Sequence, residues 1–125
     1  MTNTDTRALV HDFLRSLEAR DWEGFAALLD PDVVYELPQS HERIRGRDSY
    51  VRFNAEFPGD WHLAPRLVIA DEDNGVAWFD WKVGEETAEG IVFFRFAGIL
   101  ISHITDYWPD PYDPPPGREH LVERW

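Results

Sequence analysis

Apolar positions recur at helical spacing in the first half of the chain and at strand spacing in the second. Leu9, Val10, Phe13, Leu14 and Leu17 form one stripe of an amphipathic helix over residues 5–20, with Thr4 or Asp5 able to cap its start. Asp21 then caps a shorter helix, WEGFAALL, on which Trp22, Phe25, Leu28 and Leu29 share a face. Asp30-Pro31 ends it, because proline disfavours helical geometry in the residue before it. Val33, Val34 and Tyr35 begin a strand that Pro38 interrupts, and residues 41–45 make a second short strand before Gly46 turns the chain. Residues 48–57 return to helix, with Tyr50, Val51, Asn54 and Phe57 on one side and Pro58-Gly59 as the stop.

From Trp61 onward the period changes to two. Residues 63–70, 76–83, 91–97 and 100–108 are β-branched and aromatic, separated by EDNG, GEETAEG and the single Gly98. Asp73-Asn74-Gly75 reads as a hairpin turn in which Asn and Gly take positive φ. Connectors this short join antiparallel neighbours, since parallel ones need long crossovers. Helices first and strands afterwards indicate an α+β class, with the helices over one face of a curved sheet. The 125 residues fit one domain, 1–125, ending in a proline-rich tail, 109–125, that holds five of the nine prolines. That tail cannot be regular helix or strand. It either lies across the body, anchored by Leu121, Val122 and Trp125, or hangs free.

Composition narrows the function classes. A formal charge of −12, with Lys82 the only lysine, disfavours phosphate backbones and anionic membranes, so neither nucleic acid nor a membrane is expected as a partner. The absence of cysteine removes thiol nucleophiles, disulfides and cysteine metal sites. The five histidines show no ligand spacing, and no phosphate loop or dinucleotide fingerprint occurs, so no metal and no cofactor is expected. The N-terminus shows no secretory pattern and no apolar run reaches about 18 residues, which makes a cytoplasmic protein the expectation. Aromatic residues at 14% fit either a dense core or a cavity for a flat, greasy small molecule.

The element order, together with ELPQSHERIRGRDSYVRFNAEFPGDWH and the closing GILISHITDYW, resembles the nuclear transport factor 2-like superfamily, and within it the SnoaL-like, polyketide cyclase-like branch. The resemblance implies a cone-shaped fold: three N-terminal helices packed on a curved, mostly antiparallel sheet, with a pocket between the layers. It also implies a homodimer formed through the sheet's outer face. Relatives include ketosteroid isomerases, scytalone dehydratase, limonene epoxide hydrolase and aldol-type cyclases, alongside non-catalytic binding and dimerisation modules. The resemblance places Phe13 and Leu37 where ketosteroid isomerases carry their tyrosine and aspartate, and neither side chain can replace them. Asp106 falls at the cyclase aspartate, but residues 91–97 offer no partner histidine.

Candidate chemistry centres on Asp106, which strand alternation groups with Leu100, Ser102, Ile104 and Trp108. Facing a cavity, it would be an acid among apolar neighbours, poised as general acid or base near neutral pH. Facing outward, it would be a solvated or arginine-paired aspartate. His41 and Tyr35 are candidate catalytic helpers, the histidine because it titrates near neutrality. Gln39 and Arg43 complete a polar cluster with them, and Asp80 adds a second acid beside an aromatic. Phe13, Trp61, Trp81, Phe94 and Trp108 are the aromatic candidates for a substrate-binding wall. Two readings follow: a cofactor-free cyclase, isomerase or dehydratase acting on a polyketide- or terpenoid-like compound, or a non-catalytic ligand-binding or dimerisation module.

Overall fold

The computed structural model describes residues 2–125, apart from the side chain of Asn3. Three helices, α1 (Asn3–Ala19), α2 (Trp22–Ala27) and α3 (Arg47–Ala55), accompany six strands. These are β1 (Leu29–Leu37), β2 (Glu42–Arg45), β3 (Trp61–Ala70), β4 (Asn74–Val83), β5 (Glu86–Ala97) and β6 (Leu100–Tyr107). They form one sheet in the order β2-β1-β6-β5-β4-β3. Neighbours are antiparallel except β1 and β6, which run parallel. The architecture is α+β with a mostly antiparallel sheet and N-terminal helices, as the residue pattern indicates. Among the described residues, no helix is long and apolar enough to cross a membrane.

The stripe on α1 is buried as its spacing requires: Leu9, Val10, Phe13, Leu14 and Leu17 all sit in the core, against β3 and β4. The cap lies earlier than Thr4 or Asp5. Thr2 is the N-cap and Asp5 its reciprocal partner three residues on, a complete capping box. At the other end Arg20 takes the left-handed conformation, and its guanidinium donates to the backbone of Leu17, Glu18 and Trp61. Glu18 accepts from the Leu63 N–H at 3.1 Å, so the end of α1 is tied to the start of β3.

The second helix does not run to Asp30-Pro31. It stops at Ala27, and the Leu28 carbonyl accepts from the Ile101 N–H at 2.9 Å, which draws the chain into the sheet. Pro31 instead lies inside β1, where pairing with β6 shifts register between Leu29 and Val34. A residue without an N–H is tolerated at such an irregularity because no ladder bond is required of it.

The hairpins also differ from the sequence reading. Asn74 and Gly75 belong to β4 and have no positive φ. The turn is made by the Asp71 carboxylate, which accepts from the N–H groups of Asp73 (2.9 Å) and Asn74 (2.7 Å). Glycine at 75 answers a different need: a Cβ there would meet the Phe96 ring at 2.9 Å. GEETAEG is mostly strand, since Val83 pairs with Glu86 and leaves a two-residue turn entered by Gly84 at φ +59°. The tail, residues 109–125, is exposed throughout. Leu121 and Trp125 are 73% and 114% exposed, so the anticipated anchor is not packed on the body. Its prolines offer too few N–H groups to extend the sheet.

Gly90 on β5 is buried opposite Phe79 on β4, and a Cβ at Gly90 would stand 2.2 Å from the Phe79 ring. Gly90→Ala therefore forces Phe79 out of place. We expect a loss of roughly 1–3 kcal/mol in urea unfolding, the range for overpacking a core.

Candidate functional site

A cavity of about 350 Å³ opens between the helices and the inner face of the sheet. Alternation along the strands supplies much of its wall: Tyr35 and Leu37 from β1, Phe79 and Trp81 from β4, Ala88 and Val92 from β5. Helices α1 and α3 contribute Phe13, Tyr50 and Asn54 among others, and β3 contributes Trp61 and Leu63. Asp106, near the end of the last strand, and Trp108, just past it, complete it. Where the wall reaches Phe57 and Ala88 it reaches the surface, as both residues are exposed.

Asp106 points inward for a reason that period-two counting from Leu100 misses. The β5–β6 register shifts between Arg95, paired with His103, and Phe96, paired with Ile101, so Ser102 is an extra residue. The faces of β6 therefore change at that point. Ile101 is buried, and the inward series resumes as Ile104, Asp106 and Trp108. Leu100 and Ser102 do not line the cavity with Asp106.

The Tyr35 hydroxyl donates to Asp106 Oδ2 at 2.5 Å. Tyr35 in turn stacks on Tyr50, with ring centres 4.6 Å apart and planes at 30°. Oδ1 of Asp106 makes no hydrogen bond among the described residues and keeps accessible surface. Asp106 as a whole is only partly shielded because it borders the cavity, yet its carboxyl is ringed by apolar side chains. That surround governs its ionisation: desolvation pushes the pKa up from 3.8 to about 7, against the opposing pull of the Tyr35 hydrogen bond. Burial, followed by the Asp106 charge, pushes the Tyr35 and Tyr50 hydroxyls well above their usual range.

The other candidates divide. Phe13, Tyr35, Trp61, Trp81 and Trp108 border the cavity with Asp106. His41 does not: it is exposed in the β1–β2 turn, at φ +58°, where its side chain points to solvent. Arg43 is also outside, paired with Glu36 directly across the hairpin at 3.0 Å. Asp80 follows Trp78 onto the outer face, since alternation that turns Trp81 inward must turn Asp80 outward. There it meets Arg66 at 2.7 Å. Phe94 is buried below the cavity wall, edge-on to Phe13 at 5.0 Å, and is core rather than lining. Gln39 reaches the backbone of Trp108 instead of a ligand: its Nε2 donates to the carbonyl at 3.1 Å, and its Oε1 accepts the N–H at 2.5 Å. Sequence reasoning did not offer Tyr50, Asn54 or Phe57 as site residues. Their common side on the third helix was the available signal.

The sequence profile of the SnoaL-like domain matches residues 10–104. A candidate ketosteroid isomerase from Kribbella flavida DSM 17836 is 49% identical, with a TM-score of 0.95 over all of this chain and 93% of its own. A nuclear transport factor 2-like protein of unknown function from Burkholderia xenovorans LB400 is 21% identical, with a TM-score of 0.85 over 100% of this chain and 98% of its own. An LEH-like epoxide hydrolase from M. tuberculosis is also 21% identical, with a TM-score of 0.72 over 86% of this chain and 84% of its own. At that identity the last two show the fold alone, which is the nuclear transport factor 2-like one. No curated protein matches the sequence.

The raised Asp106 pKa has a consequence for stability. The folded state holds this proton more tightly than the unfolded chain, so the stability it contributes is present below about pH 4 and lost as pH rises through about 7. Asp106→Asn removes that loss while keeping the shape. Relative to the parent, the variant should gain up to roughly 4 kcal/mol between acid and mildly alkaline pH, read from denaturant midpoints across the range.

Proposed function

The chain belongs to the SnoaL-like family, and from that membership and the Asp106 carboxyl in the cavity wall we propose a cofactor-free acid–base enzyme acting on a small, largely apolar molecule. The family is one of small-molecule-binding and isomerase-type proteins. The observation that carries the finer reading is the Tyr35–Asp106 pair inside an apolar, surface-connected cavity. A carboxyl with a pKa of about 7 exists in both protonation states at neutral pH, so it can accept a proton at one substrate atom and return it at another. Oδ1 is the oxygen free for that transfer. Tyr35 acts through Oδ2: its hydrogen bond orients the carboxyl and favours the ionised form, which makes it a positioning residue.

Cyclisation, isomerisation and dehydration of a polyketide- or terpenoid-like compound are the reactions that such a site suits. The ketosteroid isomerase name of the 49%-identical relative supports isomerase-type chemistry. In this chain, however, Phe13 and Leu37 line the cavity where the resemblance would place the isomerase tyrosine and aspartate, so the proton-transfer role falls on Asp106. A second reading has its own observation: among the described residues Asp106 is the only lining acid and no histidine accompanies it, which also suits a non-catalytic binding module. For quaternary structure we propose a homodimer through the outer face of the sheet, where Leu67, Ile69, Trp78, Phe93 and Tyr107 are exposed.

The test is incubation with a panel of apolar ketones, epoxides and hydroxyketones in deuterated water, followed by mass spectrometry for deuterium gain or water loss. Asp106→Asn should lower turnover of any hit by about 100-fold or more. Unchanged turnover leaves the binding-module reading in its place. Tyr35→Phe should retain part of the activity and move the midpoint of the pH–rate profile upward, because the hydrogen bond that lowers the Asp106 pKa is gone.

A further inference from the structure

The charge inside the cavity is unbalanced. Among the described residues its wall contains one carboxyl, Asp106, and no lysine, arginine or histidine. The other titratable groups there, Tyr35 and Tyr50, are held neutral by burial and by Asp106 itself. Beyond the wall, Glu42 acts on Tyr35 with the same sign as Asp106. Arg20 lies 3.5 Å over the Trp61 ring but outside the lining, where it is paired with Glu18 at 3.7 Å. An ionised Asp106 can thus be neutralised in two ways, by a proton or by a positive charge that arrives with the ligand.

The aromatic walls suit the second. Trp81 and Trp108 meet at 5.6 Å and 74°, and Phe79 stands at 90° to Trp108 with ring centres 5.4 Å apart. The angle of such a T is bounded by a face of each ring, and ring faces are the negative pole of the aromatic quadrupole. An anion in the cavity would share it with these aromatic rings and the Asp106 carboxylate. One hydroxyl donor of the wall, that of Tyr35, is already engaged by Asp106. We propose that the cavity takes an apolar ligand carrying one positive charge, a tertiary amine or quaternary ammonium on a hydrocarbon frame. This rests on the reading of the cavity as the ligand site and specifies the charge of what enters it. The ionised Asp106 that balances a cation is also the form that removes a proton, so the two roles rise over the same pH range.

The experiment titrates the full chain with benzyltrimethylammonium and with its uncharged isostere, neopentylbenzene, following tryptophan fluorescence. Parent and Asp106→Asn are compared at about pH 8 and about pH 6. The ammonium should bind roughly tenfold or more tightly than the isostere to the parent near pH 8. That preference should shrink near pH 6 and vanish in Asp106→Asn. Equal or better binding of the isostere to the parent overturns the charge preference and leaves the ligand-cavity reading standing. A preference that survives in Asp106→Asn traces to the acidic surface and also overturns it. If neither probe binds, the cavity reading fails together with the proposal.

Discussion

The parallel pairing of β1 with β6 joins the strands that come first and last along the chain, and the site exists only because of it. Its register sets Tyr35 opposite Ile104 and Glu36 opposite Thr105, which leaves the Tyr35 hydroxyl within reach of Asp106, 71 positions away in sequence. A parallel pair requires a long crossover; here β2, α3 and the whole β3–β5 meander serve as one. A slip of one residue would turn Tyr35 to the opposite face and leave the carboxyl without its donor.

That pairing fixes an acid where its ionised form is costly. The apolar wall raises the Asp106 pKa, and a single hydroxyl gives back only part of what water would supply. The large aromatic core around it, including Phe13, Phe25 and Phe94, supplies burial enough for the fold to carry such a group. A site that works against stability in an otherwise consistent fold is where function is to be sought.

The SnoaL-like fold determines the cavity and leaves its chemistry to a few side chains. Phe13 and Leu37 make two positions of this wall apolar, while the Tyr35–Asp106 pair stands at the β1–β6 junction and Tyr50 and Asn54 face it from α3. Gln39 contributes from outside, as its amide pairs with the Trp108 backbone in the manner of a neighbouring strand. It thereby holds one wall of the cavity at the point where the sheet ends and the proline-rich tail departs.

Much of this was legible from local pattern. The α1 stripe depends on residues close in sequence and appears in the structure in that form, and the third helix also stops ahead of Pro58-Gly59, though at Ala55, two residues short of the sequence reading. Gln39 and Arg43 were misplaced because their partners, Trp108 and Glu36, become neighbours only when strands pair, whereas Asp80 was placed inward against the strand alternation that turns its neighbour Trp81 to the cavity. The β6 bulge at Ser102 left no mark in the sequence, yet it changes which residues share a face with Asp106. Periodicity in a chain fixes which side chains lie on the same side of an element, since backbone geometry is local. Which side faces the hollow, and what stands across it, was decided by strand register and packing between residues far apart along the chain.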